Sequence, residues 1–460
     1  MLVKKILTAT IIASLSGTAL ANTVNVTSSA DGGPGTYRAA IAAANADSDI
    51  DTIEFNSGLN IVLLTEIEAY TGSQDLMLIG NGSNLVGGCA DAPTWDGGLF
   101  TSYSAADIAI YGLNFEESCN NGVGVFLPED ARGNVKVSLY DVSITGARFH
   151  GLFVDGQDST GSYNTDDIPH PDCTDPHPYD SRASIMLTVD YSHIDGNGTT
   201  GADWLFEIDE AEGCDDDVPV ALTGCPADFD GIRVDDGDRG SIIARVRHST
   251  ANGNLADGIE YDERGPGAVR SWVDGLDVLE NGETEAFELD NICDEGEVIS
   301  DLDDGFDIDE ADGGDLYASF RDINVSDNRD EGLDLDEGDD GSAFLLVNGA
   351  VTNANEDQGI KLDEDGDGKL SALIHDAVVN DSLSQNGMEF TEEDDGSLWV
   401  RVSDTTATGN DDAAIAGEQQ PDGTGRIQVL FSDLSGNGDP SFDVDPDEIS
   451  VNTFDTLVDP

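Results

Sequence analysis

Gly332-Leu-Asp-Leu-Asp-Glu337 is the stretch on which the fold turns. Leu333 and Leu335 alternate with Asp334 and Asp336, the period-2 pattern of a strand that buries one face and shows the other. The phrase returns as Gly258-Ile-Glu-Tyr-Asp-Glu263, Gly305-Phe-Asp-Ile-Asp-Glu310 and Gly359-Ile-Lys-Leu-Asp-Glu364. Looser copies are Gly231-Ile-Arg-Val-Asp-Asp236, Ala286-Phe-Glu-Leu-Asp-Asn291 and Gly387-Met-Glu-Phe-Thr-Glu392, with a faint trace at Ala414-Ile-Ala416. The steps from 231 to 258, 305 to 332 and 332 to 359 are 27 residues; those from 258 to 286 and 359 to 387 are 28. Gly124 to Gly151 is again 27.

A fixed period means a stacked unit. Short alternating runs such as Leu398-Trp-Val-Arg-Val402 are separated by Gly, Asn and Asp turns. No segment inside a unit is long enough for a helix. The predicted fold is all-β: a single right-handed parallel β-helix with about 27 residues per coil, a short N-terminal capping helix and loop insertions. A β-sandwich is the competing fold, but sandwich strands do not keep one period over many copies. The expected organisation is a signal peptide over 1–21, a cap strand and helix over 22–50, the β-helix over 51–440 and a C-terminal cap or tail over 441–460. Insertions interrupt the period between Asp158 and Ser181, between Glu210 and Gly231, and between Asp290 and Gly305. These are expected to leave the surface as loops, where function often sits.

The 460 residues hold 19 Lys and Arg against 95 Asp and Glu, a net charge of -76. Nucleic-acid binding and docking on anionic lipid both need clustered cations, so this balance excludes them as main functions. Charge alone would suit disorder, but the 38% of hydrophobic residues recur periodically. Lys4 and Lys5 precede an apolar stretch, and Ala19-Leu-Ala21 fits a cleavage site, so the mature chain is expected to start at Asn22. Cleavage takes the net charge to -78. No later run is long enough to span a bilayer. The expected location is secreted, periplasmic or cell-surface. Six cysteines after the signal suit an oxidising compartment. Cys214–Cys225, Cys89–Cys119 and Cys173–Cys293 are one of 15 possible pairings.

The N-terminal segment carries a family resemblance. Val24-Asn-Val-Thr27, Asp31-Gly-Gly-Pro-Gly-Thr-Tyr-Arg-Ala-Ala-Ile-Ala-Ala-Ala-Asn45, Asp51-Thr-Ile-Glu-Phe55 and Leu76-Met-Leu-Ile-Gly80 resemble the start of secreted bacterial right-handed parallel β-helix proteins. Those include polymorphic-outer-membrane-protein-like chains and chains with a CSLREA-type N-terminal domain. The remaining repeats resemble the wider pectate-lyase-like superfamily. Thr36 can cap a short helix through Asn45 that covers the open end of the core. No translocator barrel follows, which argues against an autotransporter.

Alternation points the charged residues of each phrase outward. Stacking in register then makes two columns. One is Arg233, Glu260, Glu288, Asp307, Asp334, Lys361, Glu389; the other is Asp235, Asp262, Asp290, Asp309, Asp336, Asp363, Thr391. Coils sit roughly 4.8 Å apart, where two like charges repel by about 1 kcal/mol even in water. Screening, bound cations or raised carboxyl pKa values must offset this. Calcium takes six to eight oxygen ligands, and carboxylates with Gly-rich turns supply them. The expected ligands are Glu260, Asp262, Asp307, Asp309, Asp334, Asp336 and Asp363. Asp365 and Asp367 join them, because Asp363-x-Asp365-x-Asp367-Gly368 matches half of an EF-hand loop, with Ile374 where the closing glutamate belongs. The bland alternative is a solvated acidic surface.

β-Helix lyases combine calcium or a neutralised carboxylate with a Lys or Arg base. Lys361 and Arg233 are the catalytic candidates on that resemblance; charge balance within the columns is the simpler role for each. His150, His193, His248 and His375 are scattered. His170, Asp172, Cys173 and His177 could ligate a metal but read more simply as a surface loop. The expected function is a secreted, acidic, calcium-binding β-helix protein that acts by surface recognition of a polysaccharide or cell-surface glycan, or in an envelope-associated role. A carbohydrate-active lyase or hydrolase is the alternative, and a passive or halotolerant envelope protein the third reading. The sequence leaves the oligomeric state open.

Overall fold

A computed structural model describes residues 22–88, 95, 97–128, 130–156, 182–198, 229–237, 239–282, 304–311, 313–338, 341–393, 396–420, 423–438 and 440–459. The chain winds into a parallel β-solenoid. Among the described residues the strands form one 18-stranded sheet, one 11-stranded sheet and a small two-stranded sheet. The phrase strands Ile232–Asp236, Ile259–Glu263, Phe306–Glu310, Leu333–Gly338, Ile360–Asp365 and Met388–Glu393 are consecutive neighbours in the 11-stranded sheet. Longer runs such as Asp315–Ser326 and Ser342–Asn353 build the other wall.

The alternation does what it predicts. Phe306, Ile308, Leu333, Leu335, Ile360 and Leu362 are all fully buried between the two sheets. Because every pairing is parallel and nearly in register, each core side chain stacks on its counterpart in the next coil. A second column forms at the turn leading into the phrase. The backbone N–H groups of Asn254, Asn281 and Asn328 donate to the Oδ1 atoms of Asn281, Asn328 and Asn355 at 3.0, 3.1 and 3.0 Å. These turns are buried, so each bond satisfies a donor that water cannot reach.

One expectation fails. Glu260 pairs directly with Asp307 and Asp262 with Asp309, so Glu288 and Asp290 do not stand between them; both lie outside the described residues. The copy over 286–291 ends in Asn291 and has Glu295 four residues on, where working copies have Glu and Gly. It lacks the pair that closes the corner of a coil, as described below.

At the N-terminus, helix Tyr37–Ala46 is capped by Thr36, whose hydroxyl accepts from the Ala39 N–H at 3.3 Å. Tyr37, Ala40, Ile41 and Ala44 are buried on its inner side, and the helix packs on the first two strands. Among the described residues, no helix is long and apolar enough to cross a membrane. Only Cys119 of the six cysteines is described, and it is buried. Cys89, Cys173, Cys214, Cys225 and Cys293 lie outside the described residues, as do residues 1–21 and the His170–His177 loop.

Candidate functional site

The outward side of the 11-stranded sheet carries both expected columns, in register over the described coils. Outward does not mean solvated. Glu260, Asp262, Asp307 and Asp334 are between 1% and 7% exposed, whereas Asp309, Asp336 and Asp363 are half-buried. A third column, not singled out from the sequence, runs beside the first. It consists of the residue before each phrase glycine: Asp230, Asp257, Asp304, Glu331, Gln358 and Asn386, all buried. The signal was legible, since an acid or its amide precedes glycine in every one of these copies.

Three cations meet this face: Arg233 and Lys361 bracket it, and Arg264 lies 2.5 Å from Asp262. Arg233 is buried among Asp235 at 2.9 Å, Glu260 at 2.5 Å, Asp230 at 3.5 Å and Asp262 at 3.8 Å. Asp230 also reaches His150: its backbone N–H donates to Nδ1 at 3.0 Å. Lys361 Nζ lies 2.7 Å from Asp334, 3.6 Å from Asp336, 3.8 Å from Asp363 and 4.0 Å from Glu331. Burial works against the Lys361 charge, but Asp334, Asp336 and Glu331 outweigh it and hold the ammonium well above its ordinary value. Beyond Lys361 the acid thins out. Glu389 accepts from Gln358 Nε2 and Asn386 Nδ2, each at 2.9 Å.

Between Arg233 and Lys361 the carboxylates converge. Asp304, Asp307 and Asp334 each offer an oxygen within 4.8 Å of the others, as do Asp230, Asp257 and Glu260, and Asp304, Asp330 and Glu331. Clusters of this kind, with oxygen donors only, can hold a hard cation. The turn Asp363 to Asp367 is not among the convergent groups of the described residues; Asp365 and Asp367 are exposed on it. Asp363 itself is poised differently. Burial and the neighbouring Asp336 push its carboxyl up to about 7, with Lys361 opposing.

Towards the N-terminus the same columns turn aromatic. Tyr103 pairs with Phe126, Phe126 with Asp155, and Phe153 with Arg233. The rings of Tyr103 and Phe126 are 5.2 Å apart, and those of Phe126 and Phe153 5.6 Å.

The sixth residue of the phrase faces inward. Glu263, Glu310, Glu337, Glu364 and Glu392 are stacked coil on coil, are at most 1% exposed, and are followed by Gln419. Each has a glycine four residues on, and the N–H of Gly314 and of Gly368 donates to Glu310 Oε1 and Glu364 Oε1 at 3.0 and 2.9 Å. Burial first, and neighbouring acids second, push Glu310 and Glu337 up to about 9 and Glu364 up to about 8. Glu263 rises to about 8 mainly through burial. A carboxylic acid can donate to the next carboxyl, so protonation satisfies this column from within.

The fold and this face define a parallel β-solenoid with a carboxylate-rich sheet. No family model matches the sequence, and no curated protein is detectably similar. Solved structures with a similar fold include the periplasmic alginate epimerase AlgG, at 12% identity over 88% of this chain and 76% of that one, TM-score 0.42. The A-module of the Azotobacter vinelandii mannuronan C-5 epimerase AlgE6 matches at 13% identity over 95% and 99%, TM-score 0.36. The catalytic domain of a GH87 alpha-1,3-glucanase matches at 10% identity over 96% and 70%, TM-score 0.44.

Proposed function

We propose that this is an exported β-helix protein that engages a polysaccharide on its acidic sheet face, with calcium held in the carboxylate clusters. The observation that carries the reading is the convergence of Asp304, Asp307 and Asp334, buried and drawn from two adjacent coils. A cation there would bridge coils and add to the relief that Arg233, Arg264 and Lys361 give to Asp230, Glu260, Asp262 and Asp334. The aromatic rows in line with the acidic columns offer flat apolar surface for sugar rings. Melting with calcium and with chelator at matched ionic strength tests the metal. Calcium is expected to raise the melting temperature of the native chain and to act much less on Asp307→Asn. No calcium shift at all would sink the reading.

Turnover, rather than binding alone, is the second reading, and Asp363 favours it. A half-buried carboxyl near neutrality beside other acids is suited to general acid chemistry. Lys361 and Arg233 then act as counter-charges: an ammonium held by four carboxylates is a poor base, and arginine does not deprotonate. Reducing-end and unsaturated-product assays on neutral and acidic polysaccharides decide this. Activity lost in Asp363→Asn at unchanged stability supports it, and inactivity on every substrate leaves binding as the role.

A further inference from the structure

The outward side of the 18-stranded sheet gathers an unusual share of the chain's few cations, beside a small number of acids such as Asp274, Asp277 and Asp315. With 19 basic and 95 acidic residues available, Arg245, Arg270, Lys369, Arg401 and Arg426 all project from this face. Among the described residues none of the five is in an ion pair. Unpaired arginine on so acidic a molecule is unexpected, since any nearby carboxylate could have met it.

Between these arginines lies an apolar stripe two columns wide. One column runs Arg270, Tyr317, Phe344, Ser371, Trp399, Arg426 from coil to coil. The other runs Arg245, Trp272, Ser319, Leu346, Leu373, Arg401. Phe344, Leu346, Leu373 and Trp399 are each more than a third exposed. Each column thus runs from arginine to arginine, with Ile243 and Ser450 beyond them in one and Thr188 and Gln428 in the other.

Shape decides what fits. Five coil steps give a length of roughly 24 Å, and the columns stand about 7 Å apart along the strand. That is roughly 170 Å² with the arginine ends included, against the ~800 Å² per partner of a stable protein interface. A second copy laid antiparallel on the stripe would set arginine against arginine. One linear chain along the helix axis suits the strip. Aromatic and aliphatic side chains cover the apolar faces of sugar rings, and arginine grips carboxylates with parallel N–H donors. A nucleic-acid strand carries a phosphate at every nucleotide, and Leu346 and Leu373 at the middle of the stripe offer it no cation.

We propose that this face binds an acidic polysaccharide whose uronates are separated by neutral sugars, independently of metal and of the acidic face. Sugar rings lie on the stripe, and carboxylates meet the arginines at its two ends. The probe is immobilised hyaluronan, in which uronate and neutral sugar alternate, at about 0.15 M salt, where the Debye length is about 8 Å, with excess chelator. The native chain is expected to bind. The exposed-face variants R401Q/R426Q and F344S/W399S, with melting temperatures unchanged, are each expected to weaken the Kd by about tenfold or more, and dextran is not retained. Four results would overturn the proposal: no hyaluronan binding in chelator, unchanged binding in both variants, equal retention on dextran, or tighter binding to poly(dT). Binding seen only with calcium overturns it too and assigns the glycan to the acidic face.

Discussion

The carboxyl group of Glu337 is enclosed in the wall of the solenoid, under its own turn at Gly341 and between Glu310 and Glu364 of the adjoining coils. An unfolded glutamate ionises near 4.5, and burial with repulsion from Glu310 pushes Glu337 up to about 9. Between those values the folded chain holds a proton that the unfolded chain has released. Stability from this residue is therefore fully present below the unfolded value and is lost as pH rises through the folded one. The melting temperature is expected to fall from pH 5 to pH 9. Glu337→Gln keeps the shape and an N–H donor but cannot ionise. Its melting temperature should fall less over that range and exceed the native value at pH 9. A variant that tracks the native chain at every pH would remove the proton-sharing column from consideration.

At the scale of the element, Glu-x-x-x-Gly closes each corner. The glutamate turns in, and at Glu310 and Glu364 the glycine N–H four residues on donates to it. A Cβ on Gly341 would overlap the carbonyl oxygen of Gly314 and Glu337 Oε1, whereas one on Gly313 meets nothing within 4 Å. Gly341→Ala is expected to cost about 2–4 kcal/mol and Gly313→Ala less than about 0.5 kcal/mol, read from urea midpoints at constant slope. Equal effects would show that the corner tolerates bulk. The phrase made the strands, their register and the outward columns legible, because a period of 27 residues and an alternation of two leave little freedom. The inward glutamate obeys the same alternation, but an ionised carboxyl is costly to bury, so alternation alone does not place it inside. Only the environment, a stack of identical carboxyls with a shared glycine turn, makes an inward acid tolerable. His150 beside Asp230 was beyond reach for a different reason. The two are 80 residues apart, and no local pattern records which inserted segments the stack skips.

For the whole molecule, the net charge of -76 divides into populations that respond differently to salt. Asp309, Asp336 and Asp363 line a face that is partly open to solvent, and their mutual repulsion is screened by added ions. The inward glutamates are sealed off, and no ionic atmosphere reaches between them. Raising salt from 0.1 M to 1 M shortens the Debye length from about 10 Å to about 3 Å, less than one coil spacing. At pH 7 this should raise the melting temperature by relaxing the outward columns. It should leave the fall in stability between pH 5 and pH 9 largely in place, because that fall belongs to buried protons. Calcium should then add a further increment at 1 M salt, since coordination by convergent carboxylates is not screening. If high salt abolishes the pH dependence, the titrating groups are at the surface and the inward column is not what sets it. If calcium adds nothing beyond sodium at equal ionic strength, the carboxylate clusters are charge-balanced by Arg233, Arg264, Lys361 and the ion atmosphere alone.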